Sequence, residues 1–210
     1  MSADHGLAGR VGLVAGATSE IGRACVERLR GEGMTLVEVG GWDGDRARAD
    51  RDIEAALTET AGRIDVLVSS TGPASDGSLE ATGEAEFASL VESNLTAAFR
   101  AGRACFAAMR AGGGGSMIYV ASDAGIRAAH EQAADSVTSA GVIAVAELFA
   151  AEGAAYAIRA NAVCPGGSAA GEDIASVVAW LASPQSAHVS GATIRLDGAA
   201  GAAIVADTRG

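Results

Sequence analysis

The 210-residue sequence contains no lysine, so all 15 of its lysine-plus-arginine positions are arginines. No side-chain ammonium group is therefore available to any site in the chain. Aromatic residues make up only 4% of the sequence, and tyrosine occurs twice, as Tyr119 and Tyr156. Both tyrosines fall in or beside predicted strands, where packing is their expected role. Phenol groups for proton transfer are accordingly scarce.

Cysteine is also rare, and its spacing excludes the usual roles of clustered cysteines. Cys25, Cys105 and Cys164 are far apart and form no C-x-x-C pair. An odd number without ligand-like spacing argues against a disulfide framework and against a zinc site. We expect three small buried hydrophobic residues and no bound metal.

Long hydrophobic runs and excess positive charge are missing as well. Apolar stretches are broken by charge or glycine, so none is expected to reach the roughly 20 residues that span a bilayer. The first ten residues lack a basic segment followed by an apolar one, which favours a cytoplasmic protein. A net charge of −11 would repel a phosphate backbone, so nucleic acid is not an expected partner.

What the chain does contain is an alternation of apolar strand-length runs with helical patterns. The predicted strands are 11–15, 35–39, 65–69, 117–121, 160–163 and 192–196, and the longest predicted helices are 84–109, 136–152 and 173–182. This alternation predicts an α/β fold, a single Rossmann-type domain over residues 1–210 with a doubly wound parallel sheet. Ligands of such sheets bind beyond the carboxyl ends of the strands.

Six segments carry a family resemblance, in order and across nearly the whole chain. They are LAGRVGLVAGATSEIG at 7–22, GRIDVLVSSTG at 62–72, NLT at 94–96, VASDAG at 120–125, IRANAVCPG at 158–166 and VSGATIRLDG at 189–198. They resemble the glycine-rich opening, the N-N-A-G segment, the helix-four asparagine, the serine strand end, the I-R-V-N-x-V-x-P-G segment and the V-D-G ending of the short-chain dehydrogenase/reductases. The resemblance implies a Rossmann fold and an NAD(P)-dependent oxidoreductase ancestry.

The resemblance also implies a catalytic set of asparagine, serine, tyrosine and lysine. Asn94 and Ser122 stand at the first two positions, whereas Asp135 and Ser139 stand where the family has tyrosine and lysine. An aspartate with the ordinary pKa near 3.9 has already lost its proton at neutral pH and cannot replace a phenol unaided. Asn94 and Ser122 would then serve the structure by capping backbone groups. We expect no independent hydride transfer.

The cofactor-binding positions implied by the resemblance are only partly kept. They are Gly16, Ser19, Glu20, Ile21, Gly22, Gly72, Pro165 and Gly166. Glu20 replaces a glycine and adds bulk and negative charge where phosphates would sit at the helix N-terminus. Gly40-Gly41-Trp42, at the end of the second strand, offers neither an acidic residue for a ribose nor an arginine for a 2′-phosphate. We expect NAD(P) to bind weakly or not at all.

Two regions are too short for the full family fold. The 24 residues between Gly40 and Asp65 cannot hold two helices and a strand, so one helix and the edge strand should be missing. About six residues separate Pro165-Gly166 from the next predicted helix, so the helices that cover the substrate should be absent too. Water exclusion from the site would then be poor.

Three functions fit these residues. The first is a catalytically silent subunit that assembles with itself or with an active relative through its Ala-rich helices, residues 97–109 and 140–151, and its C-terminal strand. The second is an NAD(P)-dependent oxidoreductase with a non-standard site. The third is a cofactor-free lyase or cyclase that uses Ser122, His130 and Asp135, in which His130 would act with Asp135 as a base.

Overall fold

The computed structural model describes residues 5–41, 45–70, 72, 76–167 and 169–199, so that Trp42 lies outside the described residues. The strands are β1 (Val11–Ala15), β2 (Thr35–Val39), β3 (Val66–Ser69), β4 (Gly115–Val120), β5 (Ile158–Pro165) and β6 (Thr193–Leu196). The α-helices are α1 (Glu20–Gly31), α2 (Arg46–Glu59), α3 (Glu84–Leu90), α4 (Ala97–Gly112), α5 (Ala133–Gly153) and α6 (Gly171–Ala182).

The six strands form one parallel sheet in the order β2-β1-β3-β4-β5-β6. Helices α2, α4 and α5 contribute to the core on one face of the sheet, and α1 and α6 to the core on the other. The chain runs outward from β1 to β2 and then returns to β3 on the other side of β1. This reversal creates the crevice in which a doubly wound sheet binds ligands. The predicted Rossmann-type architecture is confirmed.

The two expected shortenings agree with the described structure. Only α2 connects β2 to β3 within residues 45–65, and β2 forms the edge of the sheet. Between the end of β5 at Pro165 and the start of α6 at Gly171, the described residues contain no helix. The crevice is therefore open on the side where a covering helix would lie.

The long predicted helix 84–109 is divided into three segments. Between α3 and α4 lies a π-helical segment, Val91–Thr96, in which one extra residue widens the turns. Single π-turns inside α-helices occur mostly at functional sites. The prediction of one uninterrupted helix was wrong at this point, since hydrophobic spacing does not reveal the change from α to π hydrogen bonding.

Helix α5 corrects the expectation about apolar runs. The segment Ala133–Tyr156 is long and apolar enough to cross a membrane by length and composition alone, with a mean hydropathy of 1.4. Within the fold the helix packs against β4, β5 and α4. Core helices of globular domains have the same composition, so this stretch is weak support for a membrane span. Of the 18-residue window that meets this criterion, 39% is buried within the chain.

Of the side chains expected to pack, the cysteines and Tyr119 lie in the interior, whereas Tyr156 is 42% exposed. All three cysteines are buried, and burial raises the pKa of each thiol to about 12, so none is a ready nucleophile. Tyr119 on β4 has no exposed surface and stacks on Phe149 of α5 with the ring centroids 6.0 Å apart. Burial raises the pKa of its phenol well above the ordinary value.

A glycine on α4 allows this aromatic pair to form. A Cβ atom at Gly102 would lie 2.1 Å from the Tyr119 hydroxyl and 2.6 Å from Cε2 of Phe149. The helix therefore approaches β4 and α5 more closely than any other residue would permit. At Gly112, the last residue of the same helix, nothing lies within 4 Å of such a Cβ.

These two glycines give a matched test of the packing. Gly102→Ala should lower the free energy of unfolding by about 1–3 kcal/mol, because overpacking outweighs the better helix propensity of alanine. Gly112→Ala should leave it unchanged or raise it by up to about 1 kcal/mol. Urea unfolding of both variants measures the difference. An equal response of the two variants would contradict the packing described here.

Candidate functional site

A cleft of about 370 Å³ lies at the carboxyl ends of the strands, where the strand order reverses. Its lining includes the four positions singled out for catalysis, Asn94, Ser122, Asp135 and Ser139. It also includes five positions singled out for the cofactor, Glu20, Ile21, Gly72, Pro165 and Gly166. Residues from six separate parts of the chain thus meet at one edge of the sheet.

Asp135 lies between two hydroxyl groups. It occupies the first turn of α5 with 9% of its surface exposed, and the Ser139 hydroxyl, one turn later, donates a long 3.4 Å hydrogen bond to its Oδ1. Ser122, which follows β4, also hydrogen bonds to the Asp135 carboxyl. The Ser122 oxygen in addition accepts the amide of Ala124 at 3.2 Å, as the cap of a short 3-10 turn.

Burial raises the pKa of Asp135 from its ordinary value, and the hydrogen bonds from Ser122 and Ser139 oppose that rise. The negative charges of Asp76 and Asp123 raise the pKa further. Desolvation is the largest of these effects, so the protonated acid is favoured here more than at an exposed aspartate. The carboxyl is therefore a proton-exchanging group that titrates closer to neutral pH than usual.

The serine and the aspartate are held together by a backbone contact. A Cβ atom at Gly125, in the 3-10 turn after Ser122, would lie 2.6 Å from the carbonyl carbon of Ser139. Only glycine lets this turn pack so closely on α5. The family-like spacing of Ser122 and Gly125 therefore has a structural cause that does not depend on catalysis.

Asn94 is fixed within the π-helical segment. Its Oδ1 accepts the Ser93 hydroxyl at 2.9 Å, and the residue is 8% exposed. Gly72, with φ of +88°, approaches so closely that a Cβ there would lie 1.6 Å from Asn94 Oδ1. The glycine is thus needed for the asparagine to reach the cleft.

Most backbone amides of the glycine-rich loop after β1 already donate hydrogen bonds to other groups of the protein. The amides of Gly16 and Ala17 both donate to Val39 O at 3.0 Å. Ser19 caps α1 by accepting the Gly22 amide at 2.9 Å, and a Cβ at Gly22 would meet Gly16 O at 2.1 Å. Gly16, Ser19 and Gly22 therefore build the turn between strand and helix, and none of them lines the cleft.

The charge lining the cleft is negative. Glu20, Asp123 and Asp135 line it, and no arginine or histidine does among the residues the structure describes. Asp123 is neutralised by Arg195 of β6, whose Nη2 lies 3.1 Å from Asp123 Oδ2. Glu20 is exposed at the first position of α1, where a bound phosphate would face its carboxylate.

The end of the cleft beyond β1 and β2 is narrow. A hollow of about 30 Å³, enough for one or two water molecules, lies there between Ala15, Gly41 and Ile53. Arg48 and Arg100 border it, together with Asp50 and Asp52.

His130 does not join the cleft. Its side chain is 92% exposed, and its Nδ1 lies 3.9 Å from a carboxylate oxygen of the neighbouring Glu131. The expected pairing of His130 with Asp135 is therefore not found in the structure. The sequence placed His130 between Ser122 and Asp135, but the loop turns its side chain outward.

Some residues of the cleft were not anticipated from the sequence. Gln132 lines it just before α5, Val142 from the middle of α5, and Ile174 from α6. The Asp123–Arg195 ion pair joins two motifs that lie 72 residues apart. Its only signal in the sequence is that both residues follow or lie in predicted strands.

The sequence comparisons with known proteins all point to one family. The short chain dehydrogenase family matches residues 41–175. The 3-oxoacyl-(acyl-carrier-protein) reductase FabG of Vibrio cholerae is 30% identical over 91% of this chain and 97% of its own length. The corresponding reductase MabA of Mycobacterium bovis is 29% identical over 90% of this chain and 92% of its own.

A solved structure extends the likeness to three dimensions. A short-chain dehydrogenase/reductase from Burkholderia xenovorans superposes with a TM-score of 0.84 at 27% identity, covering 93% of this chain and 98% of that one. The order of the motifs, the six-stranded parallel sheet and the placement of Asn94 and Ser122 in one cleft all agree with these matches. The chain belongs to the short-chain dehydrogenase/reductase family.

Proposed function

We propose that this chain has lost independent hydride transfer and acts as a catalytically silent subunit of an oligomer. The observation that carries the proposal is the triad of Ser122, Asp135 and Ser139 in the cleft. A buried carboxyl between two hydroxyls stands where the family resemblance implies a phenol beside an ammonium group. Such a carboxyl cannot keep its proton at neutral pH as reliably as a phenol.

Neither tyrosine of the chain lies where its phenol could donate a proton in the cleft. Tyr119 is enclosed between the sheet and α5. Tyr156 follows α5 at its far end, where it packs edge-on against Phe106 and lies beneath the Arg110 guanidinium. Because the sequence contains no lysine, no ammonium group can lower the pKa of a proton donor or hold a ribose in the cleft.

The described residues fit a dinucleotide poorly. Glu20 sets a negative charge at the helix N-terminus that would otherwise attract a pyrophosphate. Among the described residues, no helix covers the cleft between Pro165 and α6. These features support the absence of a tightly bound cofactor.

The outer face of α4 and α5 supports the assembly half of the proposal. Phe99 on α4 and Val137 and Leu148 on α5 expose 37%, 54% and 45% of their surface. Small residues surround them, including Ala144 and Ala140, both exposed. An apolar surface of this extent is unusual on a monomer. Burial against a second copy or an active relative would remove it from water.

A second function has one observation in its favour. Asp135 has a raised pKa and two hydroxyl neighbours in a cleft with room for a small substrate, which suits cofactor-free proton abstraction next to a carbonyl. In deuterium oxide, such chemistry would exchange the α-protons of a 3-oxoacyl thioester, the substrate type named for the FabG relatives. Exchange that Asp135→Asn abolishes would favour this function over a silent subunit.

Titration with NADH and NADPH tests the cofactor half of the proposal. We expect no dissociation constant in the micromolar range or tighter by calorimetry, because the cleft offers few contacts and a repelling carboxylate. Glu20→Gln should tighten any residual binding about two- to fivefold, whereas Glu27→Gln, on the exposed side of the same helix, should not. Micromolar binding by the unaltered protein would contradict the proposal.

The pH dependence of stability tests the environment of Asp135. A carboxyl whose pKa is raised by folding favours the folded state at low pH, and this contribution is lost as the pH rises through the folded-state pKa. Asp135→Asn should therefore raise the melting temperature at pH 7.5, and this advantage should shrink as the pH falls through the folded-state pKa and be lost below about pH 4, where the unfolded carboxyl is protonated too. Glu54→Gln on exposed α2 should show no such trend. An Asp135→Asn variant that is less stable at pH 7.5 would contradict the desolvation argument.

Light scattering tests the assembly. The protein expressed alone or with an active relative should form an oligomer at micromolar concentration. Ala144→Arg should dissociate it by placing an unpaired charge among close-packed small side chains, whereas Ala55→Arg, exposed on α2, should leave it intact. A stable monomer of the unaltered protein, both alone and beside the relative, would rule out the silent-subunit proposal.

A further inference from the structure

A second cleft lies at the opposite edge of the sheet, where the strands begin. Its volume is about 390 Å³. Arg10 directly precedes β1, Arg63 and Asp65 precede β3, and Arg159 lies at the start of β5. Because the strands are parallel, their amino ends bring these positions together although they are separated by up to 149 residues in the sequence.

The charge of this cleft is opposite to that of the chain as a whole. Three arginines and one aspartate line it, in a protein of net charge −11. Asp65 is already engaged, since its Oδ2 accepts the Val11 amide at 2.7 Å and lies 2.9 Å from Arg63 Nη2. No carboxylate among the described residues lies within ion-pair distance of Arg10 or Arg159. Within the part of the chain that the structure describes, Arg10 and Arg159 therefore lack a carboxylate partner.

Arg159 is held in place by backbone carbonyls. Its guanidinium donates to Leu181 O at 2.8 Å, to Val189 O at 3.2 Å and to Ser183 O at 3.3 Å. Burial lowers the pKa of Arg159, and the nearby charge of Arg10 lowers it further. The fold thus holds two positive charges near one another, and a bound anion would reduce the electrostatic repulsion between them.

The wall between the arginines is made of glycine. Gly113 and Gly114 have φ values of +88° and +138°, and a Cβ at Gly114 would lie 2.8 Å from Ala157 O. The loop at residues 112–115 therefore carries no side chain that could fill the cleft or shield its charge. Ser116 and Ser183 donate their hydroxyl protons to backbone carbonyls. The guanidinium groups are therefore the side-chain donors left to bind a ligand in this cleft.

We propose that this cleft binds the phosphate or diphosphate group of a small metabolite through Arg10, Arg63 and Arg159. Guanidinium groups match phosphate oxygens with paired, charge-assisted hydrogen bonds. The volume exceeds one phosphate and suits a diphosphate. The negative charge of the rest of the protein disfavours a nucleic acid as the source of the phosphates. The site does not depend on whether the first cleft is active.

Titration with inorganic pyrophosphate tests the proposal on the intact protein. Pyrophosphate should bind with a submillimolar dissociation constant and raise the melting temperature, inorganic phosphate should do so more weakly, and chloride at equal ionic strength should not. Arg10→Gln should weaken pyrophosphate binding at least about tenfold, as expected for the loss of a charged hydrogen bond. Arg127→Gln, the same charge change at the other edge of the sheet, should bind like the unaltered protein.

The location of binding gives a second readout. Amide resonances of Gly113 to Gly115 should shift on addition of pyrophosphate, in both the unaltered protein and Arg127→Gln. If Arg10→Gln does not fold, Arg63→Gln replaces it, because that side chain is exposed and contributes little to the core. Equal weakening by Arg10→Gln and Arg127→Gln, or a stabilisation that chloride reproduces, would overturn the proposal.

Discussion

The close packing of the turn after β4 on the first turns of α5 determines what the main cleft can do. Gly125 permits this contact, and it brings Ser122 against Asp135 and Ser139. The positions that the family resemblance aligns with a catalytic site therefore meet in one cleft, where they present two hydroxyls and a carboxyl. A fold of this kind supplies positions, and the groups at those positions decide the reaction.

The two edges of the sheet carry clefts of opposite charge. The carboxyl edge gathers Glu20, Asp123 and Asp135 around an open cleft, whereas the amino edge gathers three arginines around a glycine loop. Family members that bind dinucleotides need an anion-attracting carboxyl edge. Here the anion-attracting surface lies on the opposite side. The two proposals, a silent subunit and an anion site at the amino edge, both rest on this distribution of charge.

The fold was predictable because its four central strands, β1, β3, β4 and β5, are buried on both sides. Continuous apolar runs identified β1 and β2 with their observed bounds and the remaining strands to within a few residues. The alignment of Ser122 with Asp135 followed from the family spacing. The outward position of His130 and the π-helical turn at Asn94 did not, because each depends on local hydrogen bonding or on tertiary contacts. The wide apolar arc of the Ala-rich helices did predict an exposed apolar face, and α5 exposes Leu148 and Ala144 there. The arginine cleft could not be predicted from the sequence either, because its residues meet only when the parallel strands are aligned.

The measurement that tests the central claim most directly is NADPH oxidation by the purified protein with a 3-oxoacyl thioester as substrate. The account predicts no turnover above the uncatalysed rate at any pH at which the protein is folded, because the cleft has no phenol and the chain has no lysine. Turnover that persists through repeated purification and disappears in Ser122→Ala would contradict it. Such a result would mean that Asp135 and Ser139 support hydride transfer in place of the tyrosine and lysine that the family resemblance implies.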